Sequence, residues 1–299
     1  MSILVVGSIA LDTVETPSGK VDDSPGGSAL YFSTAASFFA PVNVVGVVGE
    51  DFEFSHINFL SQRKVDLSGL VVEKGKTFRW GGRYYKNMNM RDTLFTYLNV
   101  FETFRPQIPE KYRGSKFIFL ANIDPELQLS VLESVSSPTL SVLDTMNFWI
   151  SGKRAALDEV IKRVDVVILN DEEIQELTGI HHINRAAMEL LKQGPRILVI
   201  KKGEHGAVLV TKDDFFFAPA YPVANVVDPT GAGDSFAGGF LGYLAGCPQI
   251  TNTELRQAVV YGSAVASFNV ESFSFERLKN MQREEVEQRV DKFREMMRF

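Results

Sequence analysis

The amino-acid sequence predicts an α/β fold, with a doubly wound, mainly parallel sheet flanked by helices and a small β-sheet lid. Three observations support this prediction. Short, continuously apolar runs alternate with helical patterns, which is typical of buried parallel strands joined by crossover helices. An aromatic-rich stretch over residues 77–99 interrupts this rhythm and predicts an antiparallel hairpin. Polar side chains recur where the predicted strands end, which is the edge where such sheets bind ligands.

The composition narrows the classes of function. The chain has 299 residues, 45% of them hydrophobic and 23% charged, as in an ordinary globular protein with a full core. A net charge of -6 argues against a nucleic-acid or anionic-membrane partner. The single cysteine, Cys247, excludes an intrachain disulfide and fits a reducing compartment. No basic residue precedes Lys20 and no apolar run has transmembrane character, so we expect a cytoplasmic protein.

The first part of the chain contains two predicted strand–helix units. Residues 3–6 form the first strand, and Asp12 follows as a carboxylate just past a strand end. Residues 13–24 alternate weakly and predict a short exposed excursion. Gly26 and Gly27 open a helix over 29–39, either to admit a ligand close to the backbone or as a flexible turn. A strand over 42–48, a helix over about 54–63 and a strand near 70–72 follow.

The strand–helix alternation resumes after the hairpin. Strands are predicted over 117–121, 140–143, 164–169, 196–200, 207–210 and 223–227, and helices over 125–135, 152–163, 233–245, 254–268 and 284–297. Asn122, Asp124, Asp144 and Asn170 follow strand ends, and their joint placement predicts one crevice along the carboxyl edge of the sheet. Asn170 and Glu173 also have the spacing of a capping box, which would give them a structural role.

The most informative stretch is Asp-Pro-Thr-Gly-Ala-Gly-Asp-Ser-Phe, at residues 228–236, between a β-branched run and a long apolar helix. Its two glycines allow consecutive backbone N–H groups to form an anion-binding concavity, and the helix N-terminus adds its dipole. Asp234 lies in the first helical turn. Either it complements the helix dipole, or it is a base directed at the group that attacks a bound phosphate.

The predicted hairpin concentrates positive charge in a net acidic chain. Either these residues protect an exposed edge from aggregation, or they clamp phosphate or an anionic substrate. The residues are Lys76, Arg79, Arg83, Lys86 and Arg91.

The motif at 228–236, with Gly238 and Gly239 after it, resembles the C-terminal signature of the PfkB, or ribokinase-like, family of small-molecule kinases. The resemblance extends over essentially the whole chain, with weaker motifs at 26–27, 49–51, 170–173 and 203–206 in the family's order. It implies a single ribokinase-like α/β domain over residues 1–299, with lid segments at about 13–24 and 77–98. The implied activity is transfer of the γ-phosphoryl group of ATP to a hydroxyl of a sugar, cyclitol or nucleoside.

The resemblance also implies a role for individual residues. Asp234 would be the catalytic base, and the anion hole would be formed by Gly231, Ala232 and Gly233. The residues implied at ATP are Asn170, Lys201, Gly203, Gly206, Asp228 and Thr230, with Glu173 organising Mg²⁺ largely through water. The residues implied at the acceptor are Asp12, Gly26, Gly27, Tyr31, Asn122, Asp144 and Arg83. Two subunits could pair through the lid as a homodimer.

Two departures from the family pattern keep alternatives open. Tyr31 stands where many sugar-kinase relatives have asparagine, which puts the usual furanose-binding pattern in doubt. Residues 269–274 lack the glycine-containing loop of relatives activated by a monovalent cation, so dependence on K⁺ is open. The basic lid would suit a sugar phosphate, as in a phosphofructokinase-like enzyme. A catalytically silent ligand sensor on the same fold is the alternative of another class. A dinucleotide-binding oxidoreductase is disfavoured because no G-x-G-x-x-G is present.

Overall fold

The computed structural model describes residues 1–298, and the strands in these residues form two sheets. In chain order they are β1 (Ile3–Val6), β2 (Ala10–Thr16), β3 (Gly19–Gly26), β4 (Val42–Gly49), β5 (Val65–Glu73), β6 (Phe78–Tyr84), β7 (Arg91–Tyr97), β8 (Phe117–Leu120), β9 (Leu140–Asp144), β10 (Val166–Asn170), β11 (Ile197–Lys201), β12 (Ala207–Thr211) and β13 (Phe215–Ala218). The large sheet has the order β13-β12-β11-β10-β9-β8-β1-β4-β5, and the small sheet has the order β3-β2-β6-β7.

The helices connect and cover these strands. They are α1 (Ser28–Ala36), α2 (Asn58–Gln62), α3 (Pro125–Ser134), α4 (Asn147–Gly152), α5 (Arg154–Ile161), α6 (Asp171–Thr178), α7 (Ile183–Leu191), α8 (Ala232–Gly246), α9 (Asn252–Asn269), α10 (Glu276–Lys279) and α11 (Arg283–Met296). No helix within residues 1–298 is both long enough and apolar enough to cross a lipid bilayer.

The large sheet confirms the predicted doubly wound, mainly parallel fold. Its strands from β11 to β5 are parallel, whereas β12 and β13 run antiparallel at one edge. Alternate side chains of each strand enter different cores, as Ile3 and Leu4 do in β1. Helices α1, α8 and α9 cover one face, and α3, α5, α6 and α7 cover the other. Both faces of the sheet are therefore buried, which is why these strands are continuously apolar.

The small sheet contains more of the chain than the predicted hairpin. Strands β6 and β7 pair antiparallel as expected, and β2 pairs parallel to β6 and antiparallel to β3. Residues 13–24, predicted as a short exposed excursion, are most of a second hairpin, and only its β3 side is mainly exposed. Strand β2 is almost entirely buried because it lies between β3 and β6, whereas most of β3 is exposed at the edge.

The predicted strand over 223–227 is wrong. Strand β13 already pairs with β12 at that edge of the large sheet, and the chain then crosses the sheet end without regular structure. The backbone N–H groups of Val227 and Asp228 donate instead to the Val270 carbonyl oxygen, at 2.7 and 3.3 Å. Residues 223–227 thus form no sheet pairs, and the chain contacts the end of α9 through Val227 and Asp228.

Three further elements differ from the sequence prediction. The helix expected over 152–163 is present as α5, and the short α4 that ends at Gly152 before it was not predicted. The helix expected over 54–63 is a 3-10 turn followed by the short α2. Helix α7 had no counterpart among the predicted elements.

Candidate functional site

Three neighbouring strands of the large sheet end in polar residues at the same edge. Strands β9, β10 and β11 end at Asp144, Asn170 and Lys201, and Asn170 lies opposite Lys201 in the parallel register. The Lys201 ammonium is 3.2 Å from Oδ1 of Asp144, and both side chains are largely buried. The predicted crevice at the carboxyl ends of the strands is therefore present, with a buried ion pair at its floor.

The N-terminus of α8 adjoins this ion pair. Gly231 precedes the helix with φ of 75°, and a Cβ added there would lie 2.2 Å from the Tyr31 ring. Glycine is thus required both by the left-handed backbone and by the packing of Tyr31. A Cβ on Gly233 would lie 3.0 Å from Nζ of Lys201. The ammonium and the first turn of α8 therefore border the same small space, and the N–H groups of that turn favour an anion there.

Asp234 lies in this first turn, and its environment disfavours the charged carboxylate. Burial raises the pKa of Asp234 to about 7, Asp144 acts in the same direction, and Lys201 opposes both. Burial alone would lower the pKa of Lys201, but the carboxyl groups of Asp144, Glu173 and Asp234 raise it overall. Lys201 is consequently a permanent ammonium among three carboxyl groups. Asp234 has the pKa of a proton acceptor that works near neutral pH.

Asn170 and Glu173 form the predicted capping box at the start of α6. The Asn170 side chain accepts from the Glu173 backbone N–H at 2.8 Å, and Glu173 Oε2 accepts from the Asn170 N–H at 2.7 Å. Burial raises the pKa of Glu173 to about 7, against the effect of Lys201. The cap uses one carboxylate oxygen and leaves the other to water or a metal ion.

A cavity of about 880 Å³ lies beside the strand ends. Its polar side includes Asn170, Lys201, Gly203, Gly206 and Gly233. Its remaining walls come from the irregular segment before α8, from α9, and from residues 86–89 at the tip of the β6–β7 hairpin. Four of the six residues predicted to bind ATP therefore share one cavity, whose volume suits a nucleotide.

The residues present fit a magnesium ion held largely through water and phosphate. Within residues 1–298, no three His, Cys, Asp or Glu side chains are gathered into a site that would enclose a metal ion. Glu173 and Asp144 nevertheless supply carboxylate oxygens next to the cavity, through their contacts with Asn170 and Lys201 in its wall. Such oxygens are the ligands that Mg²⁺ prefers. Mg²⁺ commonly takes only one or two protein carboxylates and completes its shell with water and phosphate.

The other two residues predicted to bind ATP, Asp228 and Thr230, do not line the cavity. They stabilise the backbone of the 228–236 motif through hydrogen bonds. The fully buried Asp228 carboxylate accepts from the backbone N–H groups of Thr230, at 2.8 Å, and Ser274, at 3.3 Å. Burial raises the pKa of Asp228, although these hydrogen bonds oppose the shift. The Thr230 hydroxyl is 3.2 Å from the Tyr84 hydroxyl. Tyr84 was not predicted, because a strand-end tyrosine carries no signal of such a distant contact.

Asp12 approaches the same region from the small sheet. It belongs to β2, and so it does not follow a strand end of the large sheet as predicted. A Cβ on Gly26 would lie 2.0 Å from Asp12 Oδ2, and Gly27 has φ of 91° at the start of α1. Burial, then the nearby charge of Asp228, raises the pKa of Asp12 to about 8. Gly26 thus provides the space that this buried carboxyl group needs, whereas Gly27 is required by its left-handed backbone and its close approach to Ser8 and Ala10.

Asn122 and Asp124, both predicted at the crevice after β8, have different contacts. Asn122 donates to Sδ of Met146 at 3.0 Å and accepts from Nε1 of Trp149 at 2.9 Å, so two unpredicted residues adjoin it. Asp124 caps α3 and forms an ion pair with Lys153.

Arg83 is not brought to the other site residues. Its side chain is exposed and paired with Glu15 at 3.0 Å. The adjacent Tyr84 points to the opposite, buried face, as neighbouring residues of a strand do.

Comparison with known proteins identifies the family. The profile of the pfkB family carbohydrate kinases matches residues 2–277. A cytidine kinase of Thermococcus kodakarensis is 33% identical over 254 residues, which are 83% of this chain and 90% of that protein. The crystal structure of the Methanocaldococcus jannaschii nucleoside kinase, an archaeal member of the ribokinase family, has a TM-score of 0.76 and 24% identity, covering 97% of this chain and 98% of that one.

A third similar structure is the aminoimidazole riboside kinase of Salmonella enterica, complexed with aminoimidazole riboside and an ATP analog. It has a TM-score of 0.76 and 20% identity, covering 97% of this chain and all of that one. The resemblance inferred from the motifs is thus confirmed over nearly the whole length. The chain belongs to the pfkB family of carbohydrate kinases.

Proposed function

We propose that this phosphotransferase transfers the γ-phosphoryl group of ATP to a hydroxyl of a nucleoside, with Mg²⁺. The observation that carries the proposal is the first turn of α8, where Asp234 and Gly233 adjoin the Lys201 ammonium and Gly231 starts the turn against Tyr31. A base and an anion site in one place are what phosphoryl transfer to an alcohol requires.

Each residue of this arrangement has a separate task. Asp234 accepts the proton of the attacking hydroxyl, while the N–H groups of the first turn of α8 bind the transferring phosphoryl group. Lys201 adds a positive charge beside that group. Its interaction with Asp144 weakens when it does so. Because the transition state spreads negative charge over the phosphoryl oxygens, fixed donors and charges of this kind stabilise it.

Glu173 and Asp144 would hold Mg²⁺, largely through water. When bound, the ion neutralises charge on the phosphates and orients them for transfer. The capping box holds the Glu173 side chain in place before any ligand binds, because Asn170 and Glu173 belong to the same helical turn.

Two observations favour a nucleoside over a sugar phosphate as the acceptor. The similar proteins include a cytidine kinase, a nucleoside kinase and a riboside kinase. In addition, Arg83, the cation suggested as a clamp for a substrate phosphate, is engaged with Glu15 on an exposed face. We assign Asp12, Asn122 and Trp149 to the acceptor, because carboxyl and amide groups suit its hydroxyls and an indole ring suits a flat base.

An ADP-release assay tests the proposal. Purified protein with Mg²⁺ and ATP would be offered cytidine, adenosine, inosine, ribose, myo-inositol and fructose 6-phosphate in separate reactions. We expect the highest kcat/KM with a nucleoside. Turnover of fructose 6-phosphate alone would contradict the assignment, as would turnover of free sugars well above nucleosides. The homodimer through the small sheet stays a prediction, to be tested by light scattering in solution.

A further inference from the structure

Asn269, the last residue of α9, contacts both ends of the motif that opens α8. Its side chain has no exposed surface. Its amide nitrogen donates to the Thr230 carbonyl oxygen at 2.8 Å, and its amide oxygen accepts from the Ser235 hydroxyl at 3.1 Å. The orientation of the amide is determined, because a carbonyl oxygen can only accept. Asn269 therefore bridges the residue before Gly231 and the residue after Asp234.

The loop after Asn269 extends this support. The Val270 carbonyl oxygen accepts from the N–H groups of Val227 and Asp228, and the Ser274 N–H donates to the Asp228 carboxylate. The Ser274 hydroxyl donates to the carbonyl oxygen of Pro25, at 2.6 Å, just before Gly26. One loop thus holds the phosphate-side motif and the turn next to Asp12 in a fixed relation.

We propose that Asn269 is a positioning residue for phosphoryl transfer, which holds the anion-binding turn at 231–234 in its productive geometry. The proposal rests on the proposed function. Preorganised donors stabilise a transition state only when they are already in place, and a displacement of about 1 Å can cost about 100-fold in rate. Nothing in this role requires contact between Asn269 and the substrate.

The same hydrogen bonds bear on the dependence on a monovalent cation. A cation held by protein needs carbonyl and carboxylate oxygens as ligands. Here the Thr230 carbonyl oxygen and both oxygens of Asp228 already accept from N–H groups. Each of these oxygens keeps a second lone pair, so the hydrogen bonds do not block a cation. They do hold the turn in place without one, and we therefore infer that turnover does not depend on K⁺.

Two substitutions separate positioning from a general effect on folding. Asn269→Leu keeps the shape and removes both hydrogen bonds, whereas Asn269→Asp keeps the acceptor for Ser235 and places a carboxylate oxygen against the Thr230 carbonyl. Asn43→Leu is the matched control, since Asn43 also makes a side-chain hydrogen bond, to Ser115 at 3.3 Å, at the opposite end of the sheet. Ser235→Ala removes only one of the two hydrogen bonds of Asn269. It keeps the proposal testable if Asn269→Leu does not fold.

The variants would be assayed for nucleoside phosphorylation in K⁺, Na⁺ and tetramethylammonium buffers. We expect wild-type turnover to be the same in all three. Asn269→Leu should lower kcat by about 100-fold with little change in the KM for ATP, and Ser235→Ala should lower it less. Asn269→Asp should also be slow, but K⁺ should partly restore its kcat, because its two facing oxygens can share a cation. Asn43→Leu should change the melting temperature only.

Binding of ADP with tetrafluoroaluminate, a mimic of the transferring phosphoryl group, is the second readout. Asn269→Leu should weaken this binding while affinity for ADP alone stays close to wild type. If wild type phosphorylates no nucleoside but the variant still binds the mimic more weakly, the proposed function fails and the positioning role stands. Wild-type kcat and wild-type mimic binding in Asn269→Leu, or wild-type turnover that depends on K⁺, would overturn the proposal.

Discussion

Replacing Lys201 by methionine would leave three carboxyl groups without their shared cation. Methionine preserves most of the length of the side chain, so the substitution mainly removes the charge. The ammonium lies 3.2 Å from Oδ1 of Asp144, and the charges of Glu173 and Asp234 also act on it. We therefore expect losses of stability and activity that have different causes.

The size of the stability loss follows from the geometry of the pair. Unit charges separated by 3.2 Å attract each other by about 5 kcal/mol at an effective dielectric constant of about 20. Removing one partner of a buried pair typically costs about 3–5 kcal/mol, because the other charge stays buried without compensation. Lys201→Met should lower the free energy of unfolding by this amount. It should also lower kcat by about 10²-fold or more, because a charge beside the phosphoryl group is lost.

Urea denaturation of a double-mutant cycle would test the reasoning. The double variant Lys201→Met with Asp144→Asn has neither charge, so it should recover much of the stability but none of the activity. Lys192→Met is the control, because Lys192 pairs with Glu189 on an exposed helix surface and should contribute below about 1 kcal/mol. A Lys201→Met variant as stable as the control, or a double variant less stable than either single one, would refute the reasoning.

Three further predictions follow from the site. The proposed role of Asp234 as a base with a pKa of about 7 predicts that kcat/KM rises with pH below about 7 and levels off above it, and a flat pH–rate profile would contradict this role. The folded state raises the pKa of Asp12 from 3.8 to about 8, so the folded protein binds this proton more tightly than the unfolded chain, and stability should fall as pH rises between these values. Asp12→Asn should remove part of that fall and bind the acceptor more weakly, as denaturation at several pH values and KM would show. Asn89 at the hairpin tip donates to Glu204 at 3.2 Å, beside the nucleotide cavity, so Glu204→Ala should raise the KM for ATP a few-fold, roughly the effect of one exposed hydrogen bond, with kcat unchanged.

The large sheet could be predicted because its strands are buried on both faces. In a chain with this rhythm, continuous apolar runs indicate strands that helices cover on both sides, and the polar residues that end these strands must then share one edge. Asp144, Asn170 and Lys201 meet for this reason. The capping box at Asn170 is likewise a local pattern, so the spacing of Asn170 and Glu173 was sufficient to predict it.

Features that depend on distant contacts could not be predicted in this way. The valines at 223, 226 and 227 have the composition of a strand, but they pair with no strand, and the Val227 N–H donates to Val270 at the end of α9. Asp12 was placed at the end of a strand of the large sheet because nothing local distinguishes that from a strand of the small sheet. Tyr84 and Asn269 contact the motif at 230–235 from 146 and 34 or more residues away, and no spacing rule connects them.

The proposed phosphoryl transfer depends most on Asp234 as the base, and a single substitution tests this role. Asp234→Asn preserves the shape of the side chain and removes its ability to accept the proton. Its control is Glu284→Gln, which removes an exposed carboxylate from the first turn of α11 and so reports the cost of losing a charge that only complements a helix dipole. Single-turnover phosphorylation of the best nucleoside and calorimetric binding of ATP would be measured for both. We predict that Asp234→Asn binds ATP nearly as wild type does but transfers phosphate about 10²–10⁴-fold more slowly, with Glu284→Gln unaffected. A transfer rate in Asp234→Asn equal to that of the control would contradict the account.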